Sequence, residues 1–359
     1  MGAALGLGLD VHCQVVAFLA SPSSSLGSSA CCSSTAGVPP GLAWLPPLLA
    51  VARGAQPPLS GTLAAATQRP GAPHARAALV QALGLVAEEG EPGALSALAS
   101  CSEDSTISVR CAAARAIGRV AARGDAVAEA ILKGLFHDSA EEVARDAIEA
   151  AAALAAPGDP AMLAALKGCL RVEGWEVRRK ALEAISSLGE MGDAAAMGIL
   201  AAGLQDTTRW VRVAAIEAIE KLAWRGDRQA MAAIAPRLSD EVACVRAAAL
   251  AALARVAEQG DDLAVAAVAA RLEDASATVR IAALEAISEM VPPSAREAMT
   301  LVRARLRDED VDVRLEAVEA LVRMSETGDE DSIAALAVLA REDEDSAVRE
   351  AAEFAVGRL

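Results

Sequence analysis

One pattern recurs along most of this chain: a Val-Arg pair that leads into an alanine-rich stretch and returns every 34 residues. The pair stands at residues 109–110, 177–178, 211–212, 245–246, 279–280 and 313–314, with 348–349 one residue late. Val143-Ala144 and Ala75-Arg76 fill two further steps, so nine copies occupy roughly residues 72 to 359. A fixed period between 20 and 50 residues indicates a fold built by stacking repeats.

The apolar positions within each copy have helical spacing. When the Val is counted as position 0, position +7 is Ala in all nine copies and position +4 is Ala in eight. Positions +8 and +11 carry mostly larger aliphatic residues. These offsets fall on one face of a helix, and rows of Ala on that face allow neighbouring helices to approach closely. The pattern therefore predicts an array of interlocked helices.

The segments between these helices are equally regular. Position +15 is Gly in seven of eight copies, which suits the left-handed residue that ends a helix. The next residue is usually Asp, a preferred N-cap, and Pro92 and Pro160 follow at first helical positions. We therefore predict an all-α, right-handed α-solenoid of eight to nine two-helix repeats over residues 72–359.

Two families of helical repeat share this period. Tetratricopeptide repeats depend on Trp, Gly and Tyr at set positions, whereas this chain contains no Tyr. Seven copies instead place Asp five residues before the Val, which gives the pattern D-x4-V-R. Together with the alanine-rich helix, this pattern resembles the HEAT repeat, especially its short variety found in phycobilin lyases. The resemblance covers about four-fifths of the chain.

The resemblance implies that the recurrent Asp and Arg form a ladder of hydrogen bonds between successive turns. Asp can accept from the exposed N–H groups at a helix start, and Arg offers several fixed donors to a carboxylate. We interpret these residues as structural staples rather than a binding site: Asp104, Arg110, Asp206, Arg212, Asp240, Arg246, Asp274, Arg280, Asp308 and Arg314.

The net charge of −16 lies almost entirely in the repeats, because residues 1–70 contain only Asp10, Arg53 and Arg69 as charged residues apart from histidine. An acidic surface argues against nucleic acid or an anionic membrane as the main partner and favours a basic segment of a protein. Residues 1–71 are rich in Ser, Gly, Pro and Ala without a period, so we interpret them as a disordered or targeting segment.

The cysteines and histidines indicate neither a disulfide framework nor a metal site. The seven Cys contain no C-x-x-C motif, which favours reduced thiols and an intracellular, cytoplasmic location, with plastid and nucleus as alternatives. None of the three His precedes a Glu, whereas HEAT-like hydroxylases bind iron through His-Glu pairs. We find no phosphate-binding loop and expect no cofactor, no metal and no catalytic residue.

The sequence therefore favours a non-catalytic scaffold or adaptor that binds another protein. One alternative is a phycobilin lyase-like enzyme or lyase accessory subunit, which rests on similarity of fold alone. Another is a microtubule-binding HEAT array, although such arrays normally present basic residues in the turns that are acidic here, as in "DEDVD".

Candidate partner-binding carboxylates occupy position +6, on the side of the helix opposite the buried row. In HEAT arrays this helix usually lines the concave side, so the carboxylates would form a file for a Lys- or Arg-rich segment. The alternative is that Glu serves there only as a solvated helix former. The file comprises Glu149, Glu183, Glu217, Glu285 and Glu319.

Trp175 and Trp210 stand in the short turns before Val177 and Val211, where Val172 replaces the usual turn Asp. A local rule that is broken inside a regular array often marks a functional site. We expect an exposed aromatic pair that anchors a partner, the alternative being that each Trp packs over a neighbouring helix end.

Phe354 takes position +6 in the last copy, and no further copy follows it. We expect an apolar end surface that self-associates or docks a partner.

Overall fold

The computed structural model describes residues 59–68, 72–292 and 295–359, and these contain eighteen α-helices, one 3-10 helix and no strand. The α-helices are α1 (Leu59–Thr67), α2 (Pro73–Val86), α3 (Pro92–Cys101), α4 (Ile107–Val120), α5 (Ala126–Leu135), α6 (Glu141–Leu154), α7 (Pro160–Cys169), α8 (Trp175–Leu188), α9 (Ala194–Gly203), α10 (Arg209–Leu222), α11 (Arg228–Ile234), α12 (Ala243–Val256), α13 (Asp262–Ala269), α14 (Ala277–Met290), α15 (Arg296–Arg305), α16 (Val311–Met324), α17 (Glu330–Glu342) and α18 (Ser346–Val356). The 3-10 helix, Ala235–Ser239, follows α11.

The chain falls into two compact units, which divide within α8 between Ala184 and Ile185. We call the odd-numbered helices A helices and the even-numbered helices B helices. In the first unit the B helices α2, α4 and α6 stack on one another, and α3 and α5 pack beside them. In the second unit the B helices from α10 to α18 stack in the same way. The predicted all-α fold class of stacked two-helix repeats is confirmed.

The predicted apolar positions form the core. In α14, for example, Val279, Ala283, Ala286 and Ile287 are buried, as the one-face spacing of these offsets requires. The first unit also contains a closer approach of its B helices. A Cβ on Gly84 would lie 2.6 Å from the Cβ of Ala116, so only Gly fits there without displacement of α4.

One edge of each unit is formed by the predicted glycine turns, and we call it the glycine rim. All seven turn glycines have positive φ, as predicted. The N–H of Gly192 donates to the carbonyl oxygen of Leu222 at 2.7 Å, and that of Gly226 donates to Val256 at 2.6 Å. Each bond satisfies a carbonyl at the end of a B helix that has no partner within its own helix.

The aspartates after these glycines cap the A helices, as predicted. Two backbone N–H groups donate to the side chain of each of Asp125, Asp193, Asp227 and Asp261. Asp159 accepts one such bond. Asp329 occupies the N-cap position but its side chain caps no N–H group. Helices α3 and α7 begin at Pro92 and Pro160, as predicted.

The boundary at residue 71 stays a prediction, and the structure describes one helix on its N-terminal side. Within residues 1–71, α1 packs against α2 and α3 and buries Leu63 and Ala66. An A helix carries none of the D-x4-V-R signature, so the pattern could not reveal it. The remaining predictions for residues 1–58, including Cys13, Cys31 and Cys32, lie outside the described residues. Among the described helices none is both long and apolar enough to cross a membrane.

Candidate protein-binding surfaces

The opposite edge of each unit carries the Arg–Asp ladder, and we call it the ladder rim. In the second unit each Arg reaches the Asp of the next repeat, 28 or 29 residues on. The closest N–O distances are 2.8 Å for Arg212–Asp240, 2.7 Å for Arg246–Asp274, 2.6 Å for Arg280–Asp308 and 2.8 Å for Arg314–Asp343. Each of these Arg also donates through Nη1 to the carbonyl of its own turn, such as Arg212 to Asp206 at 2.8 Å.

The pKa values of two ladder carboxylates, Asp240 and Asp274, are lowered. Burial opposes the ionisation of Asp240, but bonds from Arg212 and from the N–H of Val242 outweigh it and hold the pKa of Asp240 below its usual value. The pKa of Asp274 is lowered for the same reasons, with Arg246 as its main donor. Buried carboxylates satisfied in this way tie successive repeats together, so the ladder Asp and Arg are already occupied within the fold.

A second row of arginines reinforces the ladder of the second unit, and the sequence analysis missed it. Arg237 Nη1 donates to the carbonyl of Leu204 at 3.2 Å and to Asp240 at 3.4 Å. Arg305 repeats this arrangement with Leu272 at 3.1 Å. The signal was an Arg at the same position of three consecutive repeats: Arg237, Arg271 and Arg305.

The ladder of the first unit is interrupted. Arg76–Asp104 and Arg110–Asp138 pair at 2.8 and 2.7 Å. The next rung would join residues 144 and 172, which are Ala144 and Val172, so both partners are missing together.

An ion pair stands near the missing rung, between a residue directly after Ala144 and a residue four positions after Val172. Arg145 pairs with Glu176, and the two side chains are 37% and 40% exposed. The Glu141 carboxylate packs against Gly174, and a Cβ at this position would displace it. The missing buried rung therefore lies near a partly exposed charge pair.

Trp175 begins α8 beside this ion pair. The indole is half-buried and lines a cavity of about 230 Å³ whose other walls are all charged. These walls are formed by Arg145, Glu176, Arg179, Lys180 and Glu183. Half-burial among neighbours on α6 and α8 is closer to the packing alternative than to an exposed anchor.

Two of the predicted partner-binding carboxylates lie in this region and are already paired. Lys180 Nζ lies 3.1 Å from Glu149 and 3.4 Å from Glu183. Arg179 Nε lies 2.9 Å from Glu183. Burial disfavours the charged form of Lys180, but these carboxylates outweigh it and raise the pKa of its ammonium group. Cations of the same unit therefore neutralise Glu149 and Glu183.

The carboxylates of the second unit are differently placed. Glu217 and Glu285 are exposed, and neither forms an ion pair with any described residue. Glu319 is also exposed, and its only ion pair within the described residues is with Arg323 at 3.7 Å. A partly exposed aliphatic residue lies four positions before each of these three carboxylates: Val213, Ile281 and Leu315. Residues four apart are neighbours on a helix surface, so carboxylates and aliphatic side chains share one face.

We call this surface the acidic face and define it by Glu217, Glu285, Glu316 and Glu319 around Val213, Ile281 and Leu315. Glu316 is the least exposed of the four carboxylates, and Arg323 lies 2.5 Å from it. Burial raises the pKa of Glu316 although Arg323 opposes that shift. The face therefore combines exposed unpaired carboxylates with accessible aliphatic surface.

Trp210 is 46% exposed at the start of α10, where the Arg209 guanidinium lies 4.7 Å from its ring centroid. Trp210 belongs to the second unit and Trp175 to the first, and the action of the two as a pair stays a prediction. At the last repeat, Phe354 is 68% exposed with Arg358 above its ring. This agrees with an apolar surface there, and self-association also stays a prediction.

Several solved structures share this fold at low sequence identity. The karyopherin Kap95p, in a complex with RanGDP, is 14% identical with a TM-score of 0.65, and importin β is 15% identical with a TM-score of 0.62. Kap121p bound to Pho4p is 15% identical with a TM-score of 0.57. These alignments cover 86% of this chain but only 46%, 47% and 37% of the karyopherins, so the chain spans at most about half their length. At this identity the likeness concerns the fold alone.

The search of curated proteins gives no match. The family model for HEAT repeats matches residues 62–152, 148–220 and 265–357, which together make up more than half of the sequence. The chain therefore belongs to the HEAT-repeat family.

Proposed function

We propose that this chain is a non-catalytic scaffold that binds a basic, partly aliphatic segment of another protein on the acidic face of its second unit. The observation that carries the proposal is the state of the position +6 carboxylates. Glu149 and Glu183 are neutralised within the first unit, whereas Glu217 and Glu285 point to solvent without an ion pair among the described residues. A partner that brings Lys or Arg would supply the missing counter-charges.

The aliphatic row gives such a partner a second kind of contact. Val213, Ile281 and Leu315 each retain exposed surface beside a carboxylate. Burial of apolar area contributes most of the affinity at interfaces, and complementary charge contributes orientation and association rate. A segment with both side-chain types therefore fits better than a purely basic one, and Trp210 at the start of α10 extends the contact surface.

The related folds support a protein partner in general terms. Kap95p binds RanGDP and Kap121p binds Pho4p, and both partners are proteins. Those assemblies concern chains about twice as long, so the nature of the partner rests on the acidic face alone.

A labelled peptide of Lys, Leu, Gly and Ser tests the proposal, with the Lys replaced by Glu in a control peptide. We expect the Lys peptide to bind more weakly as salt concentration rises and the Glu peptide not to bind, because screening weakens exposed charge interactions. Replacing Glu217 and Glu285 with Gln should weaken binding about tenfold, which is about 1.4 kcal/mol, and flatten the salt dependence.

The matched control replaces Glu89 and Glu103 with Gln. Both are exposed residues of the first unit, so this variant changes the net charge by the same amount without touching the acidic face. We expect it to bind like the parent protein. Equal weakening in both double variants would reduce the effect to net charge and contradict the proposal.

A further inference from the structure

The glycine rim of the second unit carries an aromatic residue that the acidic face does not include. Trp224 follows α10 and is 53% exposed. Its six-membered ring lies against Gly192 of the preceding turn, in the space that a Cβ on Gly192 would occupy. Gly192 suits this turn because of its φ of +76°, and a Cβ there would also displace the indole.

The repeat architecture does not require an aromatic side chain at this position. The equivalent residues of the first unit are Glu88, Ala122 and Ala156, and the repeats with Ala form the same turn, with positive φ at Gly124 and Gly158. The second unit has Glu258 there in the following repeat. Because Ala suffices, the indole contributes surface that the fold does not need.

Apolar surface continues from Trp224 to its neighbour. Met191 precedes Gly192, on which the indole lies, and is 56% exposed. The thioether therefore belongs to the turn on which the indole lies, and both side chains remain accessible. Aromatic and Met side chains are enriched at protein interfaces.

Carboxylates stand on both sides of this apolar surface. Glu190 is exposed next to Met191, and the Glu258 carboxylate lies against Gly226 of the following turn. The nearest cation along the chain, Arg225, donates through Nε to the carbonyl of Ala257 at 3.2 Å. A cation placed over an indole face and near carboxylates is stabilised by both.

We propose that Met191, Trp224, Glu190 and Glu258 form a docking point for a partner segment in which Arg or Lys adjoins an aliphatic residue. The aliphatic residue packs on Met191 and the indole edge. The cation lies over the indole between the carboxylates. The docking point is separate from the acidic face, because Trp224 and Trp210 lie at opposite ends of α10, about 20 Å apart along the helix axis.

The indole N–H signals of the full chain test this proposal, because each Trp gives its own ¹⁵N-correlated resonance. Each signal is assigned by its loss in a single Trp→Phe variant. The probe is a short peptide of Arg, Leu, Gly and Ser, and a second peptide has Glu in place of Arg. We expect the Trp224 resonance to shift and saturate with the Arg peptide and to stay in place with the Glu peptide.

Two charge-matched double variants identify the source of any response. Glu190→Gln with Glu258→Gln should weaken the Trp224 response about tenfold, whereas Glu217→Gln with Glu285→Gln should leave it unchanged. The Trp210 resonance reports on the acidic face in the same spectra, so failure of either site is seen independently of the other. The proposal is overturned if the Trp224 resonance does not move, responds equally to the Glu peptide, or keeps its affinity without Glu190 and Glu258.

Discussion

The two units are built from the same repeat but distribute their charges differently. In the second unit two ladder aspartates each lie close to two arginines: Asp240 to Arg212 and Arg237, and Asp308 to Arg280 and Arg305. In the first unit one rung is absent, and the cations Arg145, Arg179 and Lys180 stand instead on the exposed side of the B helices. The position +6 carboxylates Glu149 and Glu183 of the first unit are therefore paired with cations, whereas Glu217 and Glu285 of the second unit form no ion pair with any described residue.

This difference in charge distribution shows that the core positions and the exposed positions of the repeat obey different constraints. Core positions 0, +4 and +7 are nearly invariant in both units because each helix must pack against the next. Exposed positions can vary without loss of the stack, and the variation decides which unit has charge available for a partner. Regular repeats therefore explain the fold, and departures from the repeat explain the surface.

The largest expected effect comes from breaking the ladder of the second unit. Asp240→Ala removes the acceptor of Arg212, whose side chain is 6% exposed, and loss of one partner of a buried pair costs about 3 kcal/mol. Hydrogen exchange of the amides in α10 and α12 measures this loss. Val172→Ala, at the ladder position of the first unit that carries no charge, should cost less than about 1 kcal/mol. Equal costs would show that the ladder stabilises no more than ordinary packing.

A smaller effect is expected to distinguish the roles of Trp210 and Trp175 in binding and in stability. Trp210→Ala should weaken binding of the Lys and Leu peptide by about 2 kcal/mol and leave the melting temperature unchanged, because Trp210 is exposed. Trp175→Ala should lower the melting temperature and leave peptide binding unchanged, because Trp175 is half-buried in the first unit. Peptide titration and thermal unfolding of both variants decide the matter, and the reverse assignment would contradict this account.

Restoring the missing rung tests whether substitutions at residues 144 and 172 are energetically coupled. Ala144→Arg alone and Val172→Asp alone should each destabilise the first unit, since each introduces a charge without its partner. Together they should recover about 1 kcal/mol relative to the sum of the single effects. A double-mutant cycle from urea unfolding measures this coupling. Strict additivity would mean that the first unit cannot form the rung.

The smallest expected effect concerns the pH dependence of stability. Ionisation of Asp240 stabilises the fold, whereas ionisation of Asp146 destabilises it. The lowered pKa of Asp240 gives stability that is present above the unfolded-state value and is lost as pH falls through the folded-state value. Burial raises the pKa of Asp146 in the first unit, so its ionisation costs stability at neutral pH. Asp146→Asn should therefore stabilise the chain at pH 7, and thermal melts should show this gain shrinking as pH falls and the parent Asp146 becomes protonated.

Much of the fold could be predicted from periodicity, because a repeated core leaves the same residues at the same offsets. The glycine turns and most Asp caps follow from local backbone chemistry. Helix α1 escaped prediction because an A helix has no such signature. The neutralisation of Glu149 by Lys180 also escaped, because it joins adjacent repeats at positions that the period does not conserve.

The candidate sites were less predictable for the same reason. The exposure of Glu217 and Glu285 follows from helical spacing, but whether such a carboxylate has a partner also depends on the neighbouring repeat, as for Glu149, whose partner Lys180 is 31 residues away. The contact of Trp224 with Gly192 likewise crosses a repeat boundary. Nothing in the repeat pattern showed that Ala would fill the position of Trp224 equally well.

The most direct test of the difference between the units is to locate a bound basic segment. A Lys and Leu peptide with a central benzophenone is cross-linked by light to the full chain, and the linked residues are mapped by mass spectrometry. We predict cross-links in α10 to α16, around Glu217 and Glu285, which are lost in the Glu217→Gln and Glu285→Gln double variant. Cross-links concentrated in α4 to α8, around Glu149 and Glu183, would contradict the account.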